Sequence, residues 1–153
     1  VRQGDAQALP FSDATFDLIV SRNLTWNLEH PETAYAEWLR VLRPGGRLVN
    51  FDGNHYRHLY SSPYAEELKQ PDYTDGHNPD FMLGVDPAPI NAIAANLPLS
   101  RVDRPQWDME TLLGLETRNV TAEVERKHFV DAAGQPLSII KHFMVSAQKE
   151  GKA

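Results

Sequence analysis

The chain has 153 residues, 41% of them hydrophobic, and a formal net charge of −6. This length suits one domain with a buried core, and the hydrophobic content argues against a disordered chain. The acidic balance and the lack of a basic run argue against a nucleic-acid partner, because nucleic-acid backbones are bound by clustered Lys and Arg. No cysteine is present for a disulfide or a thiolate metal site. Without a signal-peptide pattern or an apolar run of about 20 residues, the sequence predicts a soluble cytoplasmic protein with no membrane partner.

The pattern of residues 4–52 predicts a parallel βαβ unit. Phe16–Ser21 and Arg47–Asp52 are short apolar runs that suit buried strands. A helix is predicted from Pro31 to Leu42, because apolar residues recur there at i, i+3, i+4 and i+7: Tyr35, Trp38, Leu39 and Leu42. The residues Pro44-Gly45-Gly46 are predicted to end this helix.

Three motifs in this region occur in a set order: GDA-x-x-LPF from Gly4, FDLIVS from Phe16 and LRPGGRL from Leu42. The set resembles class I S-adenosylmethionine-dependent methyltransferases, above all the small-molecule enzymes of the ubiquinone-biosynthesis type. The resemblance implies a Rossmann-like α/β sheet in which the two strands are the family's strands four and five. It also implies S-adenosylmethionine as the cofactor of the complete enzyme.

Members of this family carry a G-x-G-x-G turn and a following acidic strand end before the GDA motif, and this sequence has neither. We therefore expect one truncated domain over residues 1–153 that lacks strands one to three. Phe16–Ser21 would then have an open apolar edge, which predicts either a homodimer formed through that edge or N-terminal residues rearranged to cover it.

The resemblance also implies cofactor-binding residues. In the family, the acidic residue of GDA accepts a hydrogen bond from the adenine amino group and the next backbone N–H bonds a ring nitrogen, which makes Asp5 and Ala6 candidates. An Asp in an ordinary turn is the alternative. Ser21 and Arg22 follow the first strand and are expected near the cofactor, with Arg22 either on its carboxylate or in a structural ion pair.

Asn23, Trp26 and Tyr56 are the candidate acceptor-binding residues. The amide of Asn23 can donate and accept hydrogen bonds, and Trp26 either lines the acceptor pocket or fills the core. His55 and His58 are candidate catalytic bases, because imidazole titrates near neutral pH. Their alternative is polar lining or surface. A metal pair is disfavoured because no third ligand stands at a suitable spacing.

Residues 54–105 are rich in proline, which breaks long helices and blocks central strands. Short helices are predicted at Tyr64–Lys69 and Ile90–Asn96, with a loop at Tyr73–Asp86. Such an insertion in a compact domain predicts a substrate lid, and a partly disordered insertion is the alternative.

The C-terminal part predicts a helix within Arg101–Leu115 and then an antiparallel hairpin of Val120–Val130 and Leu137–Gln148. The hairpin resembles the family's closing strands six and seven. Its core candidates are Ile139, Ile140, Phe143 and Val145.

Two functions from different classes follow from these patterns. The first is methyl transfer from S-adenosylmethionine to a small-molecule acceptor. The second is a non-catalytic fragment that cannot bind the cofactor alone and acts as a scaffold or self-associates. A nicotinamide-dependent dehydrogenase is disfavoured, because the sequence contains no G-x-G-x-x-G.

Overall fold

A computed structural model describes residues 3–73, 86, 88–115 and 117–151. Its strands are β1 (Phe16–Arg22), β2 (Leu42–Gly53), β3 (Thr117–Val130) and β4 (Pro136–Lys149). Its helices are α1 (Pro31–Val41), α2 (Ser62–Glu67), α3 (Ala88–Ala94) and α4 (Gln106–Gly114). Single 3-10 turns lie at Thr25–Asn27, Arg57–Leu59 and Pro98–Ser100. Most of the loop predicted at Tyr73–Asp86 falls outside the described residues.

The parallel βαβ unit is confirmed. β1 pairs in parallel with β2, so that Ile19 lies opposite Leu48 and Ser21 lies opposite Asn50, and α1 makes the crossover between them. The hairpin is also confirmed, because β3 and β4 pair antiparallel and β4 joins β2 on its free side. The strand order is therefore β1-β2-β4-β3.

The end of α1 differs from the sequence prediction. The helix ends at Val41, and Leu42 is already extended (φ −74°, ψ 141°) and pairs with Phe16. The Pro44-Gly45-Gly46 segment forms an irregularity within β2, with Gly45 at a φ of 82°. It therefore shapes the start of the strand, and glycine suits this backbone because it adopts positive φ without steric cost.

One face of the sheet carries the core. Leu48, Val145 and Ala147 project from it against buried residues of α1 and α4, namely Tyr35, Trp38, Leu39 and Leu112. The predicted helix face of α1 and all four core candidates of the hairpin are buried as expected.

The opposite face of the sheet and one edge are open among the described residues. Leu18 and Val20 of β1 are 54% and 58% exposed, and Phe51 of β2 is 43% exposed. β1 is an edge strand of the four-stranded sheet. None of the helices in the described part of the chain has the length and apolar character to cross a membrane.

The helices after β2 are shorter or shifted relative to the sequence prediction. α2 begins two residues before Tyr64 and ends at Glu67, and α3 ends at Ala94. α4 begins only at Gln106, after Pro105 as its N-terminal cap residue. Proline disfavours helical backbone at the residue before it, so the helix predicted within Arg101–Leu115 occupies only the part after Pro105.

Candidate functional site

The carboxyl ends of β1 and β2 lie side by side. Arg22 pairs with Phe51, and the backbone N–H of Asn23 donates to the carbonyl of Phe51 at 2.8 Å. Asn23 has a φ of 51°, a left-handed conformation that asparagine tolerates better than most residues. The chain therefore turns sharply after β1 and brings Thr25 and Trp26 over the end of β2.

A buried polar network lies beneath this edge. Asp52, at the end of β2, accepts a hydrogen bond from the Thr25 hydroxyl and another from the Trp26 backbone N–H at 3.0 Å. The Asn50 side-chain amide donates to Thr25 Oγ1 at 3.1 Å and to the Tyr35 hydroxyl at 2.9 Å. The network thus ties the turn after β1 to the end of β2 and to α1.

Arg104 completes the network from the other side. Its guanidinium is 1% exposed and donates to Asp52 Oδ2 at 3.0 Å and to Thr25 Oγ1 at 2.7 Å. It also holds Asp108 of α4 with two hydrogen bonds of 2.8 and 2.6 Å. The Tyr35 hydroxyl donates to Asp108 at 2.6 Å. One buried cation therefore connects two buried carboxylates on different elements.

The charges of this network follow from its contacts. Burial alone disfavours ionisation of Asp52, but the contact with His55, the charge of Arg104 and the Thr25 hydrogen bond outweigh it and lower the pKa of Asp52 to about 2. Burial, together with the Asp108 carboxylate, raises the pKa of Tyr35 well above its usual range. Asp52 is therefore an anion and Tyr35 is neutral at physiological pH.

Aromatic rings gather above the network. The ring centroids of Trp26 lie 5.4 Å from His55 and 5.2 Å from Tyr56, and Tyr56 lies 5.8 Å from His58. Burial lowers the pKa of His58, so its imidazole is neutral near pH 7. Four of the residues predicted for acceptor binding or catalysis therefore form one cluster.

His142 of β4 joins this cluster, with its ring centroid 6.1 Å from that of His55. It pairs with Gly53 across the β2–β4 ladder. A Cβ at Gly53 would lie 3.0 Å from His142 Nδ1 and 3.2 Å from His55 Nε2. The missing side chain at Gly53 therefore lets both imidazoles approach the strand end. Burial also lowers the pKa of His142.

A cavity of about 460 Å³ opens beside the strand ends. Arg22 and Asn23 line one side, Glu123 and Glu125 line the other, and the apolar lining includes Phe51 and Met144. Among the described residues the Arg22 guanidinium has no hydrogen bond or ion pair. Its positive charge is therefore available to an anionic group in this cavity.

Asp5 and Ala6 are held against α1. The Asp5 carboxylate accepts a hydrogen bond from the Gln7 backbone N–H at 2.8 Å, and the Ala6 carbonyl accepts one from Trp38 Nε1 at 2.9 Å. Asp5 therefore lies in an ordinary turn, which is the alternative to a role in adenine binding. Only one of its oxygens, Oδ1, is used in this turn.

Ser21 is buried at the end of β1, and its hydroxyl has no hydrogen-bond partner among the described residues. Within those same residues, no group of three or more His, Asp or Glu side chains is placed to hold a metal ion.

Sequence reasoning missed most of the buried network. Asp52 stood at a recognised strand end, and Arg104 and Asp108 show the i, i+4 spacing of an ion pair at a helix start. That spacing is common on surface helices, so it did not distinguish a buried pair. His142 gave no signal, because its position depends on the register between β4 and β2.

Comparison with known proteins shows what this chain is similar to. Residues 1–50 match the model of a methyltransferase domain. The demethylmenaquinone methyltransferase of Renibacterium salmoninarum is 46% identical over 52 residues, which are 34% of this chain and 22% of that protein. The ubiquinone/menaquinone biosynthesis C-methyltransferase UbiE of Roseobacter denitrificans is 52% identical over 46 residues, which are 30% of this chain and 18% of that protein.

The fold agrees over nearly the whole chain. The YcgJ protein of Bacillus subtilis superposes with a TM-score of 0.53 at 18% identity, covering 99% of this chain and 71% of that one. A SAM-dependent methyltransferase of Methanosarcina mazei superposes with a TM-score of 0.54 at 17% identity, covering 97% of this chain and 66% of that one. The resemblance to class I methyltransferases is confirmed.

The class I methyltransferase fold explains why polar side chains gather where they do. In open sheets of this kind, ligands bind beyond the carboxyl ends of the strands, and here those ends carry Ser21, Arg22 and Asp52. S-adenosylmethionine is the cofactor of complete enzymes in this family. The matched segments span only about a fifth of the two curated relatives named above.

Proposed function

We propose that this chain takes part in methyl transfer from S-adenosylmethionine to a small-molecule acceptor, with the reaction at the carboxyl ends of β1 and β2. The observation that carries the proposal is the parallel β1–α1–β2 unit. This unit places Arg22 and Asn23 beside Asp52. Residues 1–50 of the chain match a methyltransferase domain.

The residues present fit parts of the cofactor. Arg22 presents a cation without a protein partner among the described residues, which suits the cofactor's carboxylate. Asp5 keeps one carboxylate oxygen outside its own turn, which suits the adenine amino group. We assign Asp5 and Arg22 to cofactor binding on this basis, and we propose their chain neighbours Ala6 and Ser21 with them, as the resemblance implies.

The acceptor is proposed to lie against the aromatic cluster. Trp26 and Tyr56 offer ring faces, and Asn23 offers an amide at the cavity wall. His55 and His58 are the candidate bases beside it.

The cofactor, when bound, supplies an electrophilic methyl group on a sulfonium. The chain's own contribution is to orient the acceptor and to exclude water, which are the main sources of rate in such transfers.

Residues 54–105 are proposed to cover the acceptor. Asn54 donates to the carbonyls of Arg104 and Ile140 at 3.1 and 3.0 Å, which ties the two ends of this segment to each other and to β4. Tyr64 of α2 donates to the same Ile140 carbonyl at 2.9 Å. These anchors support a lid that is attached to the hairpin.

Isothermal titration calorimetry with S-adenosylhomocysteine tests the proposal. We expect saturable binding to the wild-type chain, and binding weakened at least tenfold by Arg22→Ala, because a charge-assisted hydrogen bond contributes about 1.5 to 3 kcal/mol. Arg43→Ala is the control, since its partner Asp17 is an exposed carboxylate at 2.6 Å on the far end of β1. Absence of binding to the wild-type chain supports the second function, a fragment that does not bind cofactor alone.

Self-association through β1 is a second proposal, favoured by the exposed Leu18 and Val20 on an edge strand. Sedimentation of the wild-type chain is expected to show a dimer, and Leu18→Lys is expected to shift it to monomer. Leu113→Lys is the matched control, because Leu113 is 63% exposed on α4. A wild-type monomer at all concentrations contradicts this proposal.

Location of the protein in the cytoplasm stays a prediction.

A further inference from the structure

The two oxygens of the Asp52 carboxylate have different surroundings. Oδ2 accepts hydrogen bonds from the Thr25 hydroxyl, from the Trp26 backbone N–H at 3.0 Å and from Arg104 Nη1 at 3.0 Å. Three donors saturate this oxygen and fix the plane of the carboxylate. Oδ2 is therefore committed to the buried network.

Oδ1 points the other way. Within the described residues it accepts one hydrogen bond, from the Gly53 backbone N–H at 2.9 Å, and lies 3.6 Å from His55 Nε2. The Asp52 side chain is fully buried, whereas the His55 side chain is 30% exposed. One edge of the imidazole thus faces an enclosed anion, while the ring still reaches solvent.

The His55 ring is also confined laterally. Trp26 packs on it at 5.4 Å between ring centroids with an interplanar angle of 56°, and His142 lies at 6.1 Å. A side chain of any size at Gly53 would meet Nε2 at 3.2 Å. The ring is therefore held with Nε2 toward Asp52.

We propose that Asp52 is a positioning residue that holds His55 in the Nε2–H tautomer, so that Nδ1 is the base offered to the acceptor. For the role of His55 as a base, this inference rests on the proposed methyl transfer. The contact between Asp52 and His55 does not involve the cofactor. It distinguishes between the two candidate bases in favour of His55, because no aspartate or glutamate of the described residues lies within ion-pair distance of His58.

The acceptor loses a proton as it gains the methyl group. An acceptor atom uses its electron pair to form the new bond to the methyl carbon, and the carbon–sulfur bond electrons return to sulfur, which leaves as a neutral thioether. The acceptor's proton passes to His55 Nδ1. The resulting imidazolium lies beside the Asp52 carboxylate, with Nε2 3.6 Å from Oδ1.

Asp52→Asn provides a sharp test, because the network dictates how the new amide is oriented. Three donors converge on the Oδ2 position and only one, the Gly53 backbone N–H, on the Oδ1 position, so the amide oxygen is expected to stay at Oδ2. The amide NH₂ then replaces Oδ1 and faces His55 Nε2. A donor in this place favours an unprotonated Nε2, and the tautomer is expected to switch to Nδ1–H.

The measurement is two-bond ¹H–¹⁵N correlation spectroscopy of the histidine rings at mildly alkaline pH, with His55 assigned by its loss in His55→Asn. In the wild-type chain we expect Nε2 to resonate as a protonated nitrogen and Nδ1 as an unprotonated one. In Asp52→Asn we expect the two shifts to exchange. Asp103→Asn is the matched control, since its exposed carboxylate pairs with Arg57 at 2.9 Å, and it should leave the His55 spectrum unchanged.

A wild-type spectrum with the proton on Nδ1 overturns the proposal, and this result needs no variant to fold. A folded Asp52→Asn chain with an unchanged His55 tautomer overturns it as well. If Asp52→Asn does not fold, the wild-type spectrum alone decides. Because the tautomer is read without cofactor, its outcome is separate from that of the calorimetric test of methyl-donor binding.

Discussion

Arg104→Met is expected to lower the free energy of unfolding by about 3 to 5 kcal/mol. The Arg104 guanidinium is fully enclosed and contacts both Asp52 and Asp108. Methionine fills a similar volume but leaves two buried carboxylates without their cation. Urea unfolding at neutral pH, followed by circular dichroism, measures the loss.

The matched control for this substitution is Arg43→Met. Arg43 pairs with Asp17 at 2.6 Å, but both side chains are more than half exposed. Exposed pairs contribute about 0 to 1 kcal/mol, so this variant should be nearly as stable as the wild-type chain. Equal losses for the two variants would show that the buried network does not organise the strand ends.

Acid is expected to destabilise the wild-type chain more than Asp52→Asn, by about 2 kcal/mol between pH 5 and pH 2. The pKa of Asp52 is about 2 in the folded protein, below its ordinary value of 3.8. The unfolded chain therefore takes up the proton first as the pH falls. The stabilisation is fully present above the ordinary value and is lost as the pH falls through the folded-state value.

Urea unfolding at several pH values checks this expectation, and the quantity compared is the change with pH in each protein. Asparagine does not titrate, so the variant lacks this contribution whatever its stability at pH 5. Parallel pH profiles for the two proteins would mean that Asp52 is not held as an anion by Arg104 and Thr25.

The sequence was sufficient for the βαβ unit, since the strands were marked by short apolar runs and the helix by the spacing of its apolar residues. Tyr35, Trp38 and Leu39 share a helical face that is buried in the structure. The hairpin followed from alternation and a Gly-containing turn. The start of β2 could not be predicted from the sequence, because Leu42 satisfies the helical spacing yet pairs with Phe16 in the sheet.

The site was only partly predictable. Arg22 and Asn23, which end and follow β1, could be placed at the sheet edge from the sequence. Arg104 could not, because it reaches Asp52 across 52 positions of the chain. Long-range polar contacts depend on the packing of α4 against the sheet, and no local pattern encodes that packing.

The central claim is that the carboxyl ends of β1 and β2 are where the nucleoside cofactor and the acceptor meet. Mapping the backbone amide shifts during titration with S-adenosylhomocysteine tests it most directly. We expect the saturable changes at 5–6, 21–23 and 52–55. Changes confined to the hairpin turn at 131–135, or no saturable change anywhere, would contradict the claim.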